Sequence, residues 1–232
     1  MKQSVNQCFS DEGALAKAIP GFKARQSQLD MANAVAGAIK DKKQLVVEAG
    51  TGTGKTFAYL APAILDGRKI IVSTGTKALQ EQLFHRDLPL VKQAIKPRLK
   101  TALLKGRSNY LCIYRMNQNG QHPPFEDPDF ITDLSKVRRW SSETDSGDLG
   151  ELTSIEENSR AIPYVTSSVD NCLSKDCPNI GECHVVNARK KALDADLIVV
   201  MQKGEIAEQG THTQLIAKDG VYKKLVGMQS FE

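Results

Sequence analysis

No stretch of this chain approaches the about 18–20 consecutive apolar residues that a membrane span requires, and Met1 to Ala18 holds no apolar core of a secretory leader. No membrane partner is therefore expected, and the cytoplasm is the expected compartment. Cysteine is scarce, five residues in 232. In a reducing compartment disulfides are rare, so clustered thiols read as metal ligands rather than staples. No two cysteines are spaced C-x2-C, the hairpin spacing that structural zinc favours. Excess charge is also small, net +4, but its distribution is uneven. Arg86, Lys92, Lys96, Arg98, Lys100, Lys105, Arg107 and Arg115 face a single acid, Asp87, in that span, whereas Glu143 to Glu157 holds six acids and no Lys or Arg. Such a basic run is either a solvated face or a track for a nucleic-acid backbone.

What the chain does contain is Glu48-Ala49-Gly50-Thr51-Gly52-Thr53-Gly54-Lys55-Thr56, after the apolar run Leu45-Val46-Val47 and before the helix-forming run Phe57 to Leu65. Strand, glycine-rich turn and helix in that order predict a phosphate-binding loop. Glycines let backbone amides close around an anion, and the helix N-terminus adds partial positive charge. Lys55 is expected to reach the β- and γ-phosphates and the Thr56 hydroxyl to hold Mg²⁺, with Ala49, Gly50, Thr51, Gly52, Thr53 and Gly54 forming the cradle. Ala49 stands where the strict pattern has glycine. The loop implies a bound triphosphate without saying what its energy drives.

Around the loop, Leu29, Ala32, Val35, Ala36 and Ile39 recur at helical spacing and predict a helix over about 28–40. Lys69 to Thr74 reads as a buried strand. Thr76 then caps a helix that ends before Pro97. Thr101 to Lys105 reads as a third strand, Val185 to Leu193 as a helix and Asp196 to Met201 as a further strand. The βα alternation predicts an α/β fold of the P-loop (RecA-like) kind, with a parallel sheet and the loop at the carboxyl end of its first strand. After Gly106 the character changes to loops and polar segments, as expected of an insertion with its own organising element. The expected division is 1–105, 106–184, 185–200 and 201–232.

Cys112, Cys172, Cys177 and Cys183 are spaced C-x59-C-x4-C-x5-C, and Cys8 reads as a spare thiol near the N-terminus. Four thiolates suit tetrahedral zinc or an iron–sulfur cluster. One distant ligand plus three on a loose loop favours a cubane, whose irons spread over a larger volume. Zinc and four unrelated buried thiols stay open on spacing alone. His184 reads as an exposed bystander. Tyr110 reads either as a stacking platform beside Arg107 or as core.

Several motifs in order carry a resemblance. Arg25-x-x-Gln28-x-x-Met31 is similar to a Q-motif, Glu48 to Thr56 to motif I, and Ser73-Thr-Gly-Thr-Lys-Ala-Leu-Gln-Glu-Gln82 to motif Ia. Lys105-Gly-Arg-Ser-Asn-Tyr-Leu-Cys112 and Cys172, Cys177 and Cys183 are similar to a cluster-binding segment. From about 20 to 200 the chain resembles the iron–sulfur DNA helicases of the DinG/YoaA type, bacterial relatives of XPD. The resemblance implies ATP-driven unwinding of the DNA-repair type with 5′→3′ polarity. It also implies single-stranded DNA as partner, ATP and Mg²⁺ at the loop, Gln28 on the adenine edge, and a [4Fe–4S] cluster on the four cysteines.

The departures bear on activity. No D-E-x-H motif occurs, so the carboxylates that would hold Mg²⁺ through water and polarise the attacking water are missing, as is a second motor domain. From Ala195-Asp-Leu-Ile-Val-Val200 the chain runs into a tail whose residues 195–232 resemble the C-terminus of ABC exporter ATPase domains. The expectation is an incomplete helicase fragment that binds ATP and single-stranded DNA without unwinding it, with residues 202–232 poorly packed. Alternatives are a fragment of an ABC transporter ATP-binding subunit and a zinc-stabilised nucleotide-binding module.

Overall fold

The computed structural model describes residues 4–50, 52–122, 124 and 126–201; the ABC-like tail and Thr51 lie outside them. The chain divides into two compact units, Met1–Thr101 with Ala195–Glu232, and Ala102–Asp194.

In the first unit, Ser4 opens α1 (Val5–Phe9) with a reciprocal capping box to Gln7, and α2 (Ala14–Ala18) follows. The predicted helix over 28–40 is α3 (Gln26–Asp41), and α4 (Lys55–Asp66) packs along it. Ala58, Leu60, Ala61 and Ile64 are the buried face of α4, and Ala32 and Gln28 that of α3. Gly67, at φ +84°, ends α4 in the left-handed conformation that suits glycine.

The predicted second strand is β1 (Ile70–Thr74) and the last is β3 (Leu197–Met201), which pair in parallel with Ile70 opposite Leu197 and Thr74 opposite Met201. On the other side of β3, the Lys100 carbonyl accepts from the amides of Asp196 (2.8 Å) and Leu197 (3.1 Å), just before β2 (Thr101–Leu104) begins. β3 is thus flanked on both edges and buried on both faces, which is why Leu-Ile-Val-Val runs without polar alternation. Between β1 and Lys100 the chain forms α5 (Lys77–Glu81), capped by Thr76 as predicted through its hydroxyl on the Leu79 amide, then a π-helical turn (Gln82–Asp87) and α6 (Leu88–Ile95).

One predicted element is not there. Residues 43–50 form no strand, and Leu45, Val46 and Val47 are 43%, 94% and 39% exposed. A strand is stabilised by neighbours that satisfy its backbone groups and cover its side chains. Here the run borders an open groove of about 680 Å³, lined by Met31, Val35 and Ile39 of α3 and by Ile70 and Ile71 of β1. Ile71 is 60% exposed, and the edge of β1 away from β3 has no strand among the described residues. Cys8, expected as a spare thiol, is fully buried, and that burial pushes its thiol up to about 11.

The second unit contains α7 (Ile113–Gln121), α8 (Pro128–Ser141), α9 (Ile162–Val165) and α10 (His184–Asp194). Asp127 caps α8 through the Asp129 amide (3.1 Å), with Pro128 at the first helical position. Phe130, Leu134 and Val137 line one face of α8 and meet Leu111, Met116, Leu152, Ala161 and Val165 in a single apolar core. Phe130 packs edge-on against Tyr164 at 5.4 Å. This segment, expected as an insertion with its own organising element, has an apolar core of its own.

Candidate nucleotide loop and thiol cluster

The glycine-rich turn ends on Gly54, the cap of α4, and both Gly52 and Gly54 are left-handed (φ +75° and +77°). A residue with a Cβ is strained there. A Cβ on Gly54 would also overlap the side-chain amide of Gln28. The loop is braced from α3: Arg25 Nη1 donates to the Gly52 carbonyl (2.8 Å) and Gln28 Nε2 to the Gly54 carbonyl (3.0 Å). Within the loop, Thr53 Oγ1 donates to the Gly50 carbonyl (2.9 Å). Lys55 Nζ donates to the carbonyls of Ala49 (2.7 Å) and Gly50 (2.9 Å).

Four side chains thus hold loop carbonyls in place at the N-terminus of a twelve-residue helix, where backbone N–H groups lack intrahelical partners and favour an anion. The ammonium of Lys55 is thus held by two carbonyls of the loop itself. Thr56 follows in the first turn of α4. Of the predicted cradle, Arg25, Gln28, Ala49, Gly50, Gly52, Thr53, Gly54, Lys55 and Thr56 are brought together in this way. Buried Gln28 is committed to the loop backbone rather than standing free.

In the second unit, Cys112 is the cap of α7, its amide donating to the Val165 carbonyl at 2.7 Å. Cys172 precedes and Cys177 follows a 3-10 turn (Ser174–Asp176) entered through a left-handed Ser174, whose amide donates to Cys172 Sγ (3.3 Å). Cys183 follows a second such turn (Ile180–Glu182) and immediately precedes α10. All four are half-buried free thiols. Burial raises the Cys112 thiol, a backbone hydrogen bond at Arg115 opposes this, and the nearby sulfurs of Cys177, Cys183 and Cys172 raise it further. The Arg107 guanidinium donates to Cys172 Sγ at 2.8 Å. Arg189 lies within electrostatic reach of Cys183 and Cys172. The four sulfurs therefore share one neighbourhood, but among the described residues no three His, Cys, Asp or Glu side chains gather tightly enough to hold a metal ion.

The structure corrects one expectation here and bears on two that were left open. His184 is buried, with both ring nitrogens lacking a hydrogen-bond partner, and burial holds its imidazole below the usual histidine range. Its ring sits where a Cβ on left-handed Gly147 would be. Tyr110 is core: only 4% exposed, its hydroxyl accepts from the Lys105 amide (3.0 Å), so it is not free to stack on a base. The basic run is not one solvated track either. Lys105 forms a buried ion pair with Asp148 (2.7 Å), Arg107 holds Cys172, and Arg115 donates to the Pro163 carbonyl (3.2 Å).

In comparison with known proteins, residues 28–142, which include the glycine-rich loop, match the DEAD/DEAH box helicase family. Within it, the chain belongs to the DinG/YoaA type. It is 52% identical over 199 residues to the ATP-dependent DNA helicase YoaA of Haemophilus influenzae, covering 86% of this chain and 31% of that protein. It is 54% identical over 192 residues to the YoaA of Escherichia coli (83% and 30%). It is 39% identical over 221 residues to the ATP-dependent helicase DinG of Mycobacterium tuberculosis (86% and 33%). The chain thus spans about a third of the length of these relatives. The comparisons favour the helicase lineage over the transporter alternative suggested by residues 195–232. No helix among the described residues is long and apolar enough to cross a membrane.

Proposed function

We propose that this chain is the ATP-binding part of a DNA helicase, with Gly50–Thr56 holding ATP·Mg²⁺. The observation that carries this is the braced loop itself, two left-handed glycines at the start of α4 with Lys55 and Thr56 directly behind them. Lys55 neutralises the β- and γ-phosphates, Thr56 ligates Mg²⁺, and Arg25 and Gln28 hold the loop open for the nucleotide, with Gln28 near the adenine edge. Lacking a D-E-x-H carboxylate pair, the chain binds nucleotide without unwinding DNA by itself. Single-stranded DNA is the proposed partner, its phosphates meeting the amides and hydroxyls of Ser73–Gln82, in the cytoplasm. The test is nucleotide affinity of the purified chain against its Lys55→Ala variant. Loss of binding in the variant is expected. Equal affinity, or DNA-stimulated hydrolysis by the unaltered chain, would overturn one half of the proposal or the other.

We also propose that residues 106–184 form an insertion whose Cys112, Cys172, Cys177 and Cys183 hold a [4Fe–4S] cluster. The grouping supports it: four half-buried thiols share one neighbourhood, with cationic Arg107 on one sulfur. No two of these cysteines have the C-x2-C spacing that structural zinc favours, and one distant ligand with three on a loop suits a cubane. When bound, the cluster supplies a rigid anionic centre; Arg107 and Arg189 supply compensating positive charge. A brown protein whose broad visible absorption disappears in Cys172→Ser is expected after anaerobic purification. A colourless protein with stoichiometric zinc would reject the cluster.

A further inference from the structure

We propose that Gln28 is a positioning residue for the anion-facing amides of the phosphate loop and not a selector of the base, so that the site grips a triphosphate whatever base it carries. The proposal rests on the reading of Glu48–Thr56 as a phosphate loop. It gives a different task to a residue that the resemblance would put on the adenine edge.

The two braces from α3 come from a single turn. Arg25 caps the helix and Gln28 lies three positions on, the spacing at which side chains share a helix face. They reach carbonyls two residues apart, Gly52 at 2.8 Å and Gly54 at 3.0 Å, and both of these glycines are left-handed. The Gly54 carbonyl also accepts from the Ala58 amide (3.2 Å) as α4 begins. Its direction is therefore fixed twice, by the helix and by Gln28.

Fixing a carbonyl fixes an amide. A trans peptide unit is planar, and its C=O and the following N–H point in opposite directions. A Gly52 carbonyl drawn to Arg25 turns the Thr53 N–H away from that guanidinium. A Gly54 carbonyl aligned with α4 turns the Lys55 N–H off the start of the helix, where an anion is favoured. Backbone amides turned to one side of a left-handed turn form the kind of concavity that holds phosphate. Gln28 thus shapes the phosphate-binding face of the loop without touching a phosphate.

The same geometry leaves little for a base. Gln28 is 5% exposed. Its Nε2 and Cδ would stand only 2.2 and 2.9 Å from a Cβ on Gly54, so the amide lies directly against the Gly54 backbone. Turning that amide to face a base edge means leaving the Gly54 carbonyl and giving up the brace. Base contact and loop support compete for one group, and the structure spends it on the loop. An adenine can lie near Gln28 without being chosen by it.

The experiment titrates the purified chain with ATP·Mg²⁺, GTP·Mg²⁺ and inorganic tripolyphosphate, unaltered and as Gln28→Met. Methionine keeps the length and most of the volume of the side chain and removes the donor. Affinity for all three ligands is expected to fall by the same factor, about tenfold, the worth of one hydrogen bond. Without nucleotide, amide hydrogen exchange over residues 52–58 should quicken in the variant while that over residues 197–201 stays unchanged, a pattern that general destabilisation does not give. Arg25→Ala, at an exposed position, should quicken the same loop amides. A loss confined to ATP would make Gln28 a base reader and overturn the proposal. So would unchanged affinity for all three ligands, faster exchange in both segments, or an unaltered chain that takes ATP but neither GTP nor tripolyphosphate. Each of these outcomes leaves the phosphate loop itself standing. No binding of any of the three by the unaltered chain overturns the phosphate-loop reading and this proposal with it.

Discussion

Leu45-Val46-Val47 and Leu197-Ile198-Val199 are nearly the same in composition, yet they have opposite fates in the same unit. The second run is 0%, 8% and 0% exposed, whereas the first is 43%, 94% and 39% exposed. The difference is not propensity, which favours a strand in both. It is company: β3 has β1 on one edge and the Lys100 backbone on the other, while residues 45–47 pair with no strand among the described residues and border an open groove. An apolar run becomes a strand only where other backbone is available to receive it. The glycine-rich loop that follows the first run is therefore held by side chains of α3 instead of by a sheet.

The comparison can be broken most directly at Leu197→Ala, which leaves a cavity in a fully buried position. It should cost about 3 kcal/mol in urea unfolding; a cost under about 1 kcal/mol would mean that β3 is not the centre of this unit. Next comes Gly54→Ala, which meets both a strained φ and the Gln28 side chain. A loss of about 2 kcal/mol is expected, together with weakened nucleotide binding, if α3 rather than a strand fixes the loop. Smaller still is the alkaline behaviour of Cys8, buried without any strand beside it. The folded chain keeps this thiol protonated up to about 11 while the unfolded chain ionises from about 9.0, so between those values the unfolded state binds fewer protons. Stability should then fall as pH rises from 9 toward 11, and Cys8→Ala should remove that slope in a pH series of melts. Last, Val46→Ser should change stability by less than about 0.5 kcal/mol. A loss near that of Leu197→Ala would show the two runs to be equally buried in solution.

Much of the first unit was legible from its residues. The period of Leu29, Ala32, Val35, Ala36 and Ile39 placed α3, the Thr76 hydroxyl marked the start of α5, and continuous apolar runs located β1 and β3. These are local signals, and local signals survive folding wherever tertiary contacts agree with them. The missing strand at 45–47 depended on a neighbour, which no local pattern reports. The π-turn depended on a single added residue in a helix, invisible to a search for a 3.6 period. In the second unit, Phe130, Leu134 and Val137 carried the spacing that would have announced α8, but the adjoining Pro-rich loop and acidic stretch obscured it. The burial of His184 came from long-range packing against Gly147, and Tyr110 joins a bridge to Asp148. Of the two candidate sites, the nucleotide loop was readable as a glycine-rich turn opening α4, whereas the missing strand before it and its bracing by Arg25 and Gln28 were not. The thiol grouping was readable as four residue numbers; Arg107 on Cys172 was not.

The close approach of Gly54 to Gln28 links two positions 26 residues apart in how this chain can change over generations. A lineage that enlarges position 54 must first shorten position 28, and shortening position 28 gives up the hydrogen bond that steadies the loop. Even then the left-handed backbone at 54 still resists a Cβ. Either single step is harmful and the pair is only partly compensated, so the two sites form a ratchet: this glycine and this glutamine can be lost together far less readily than either could if it stood alone.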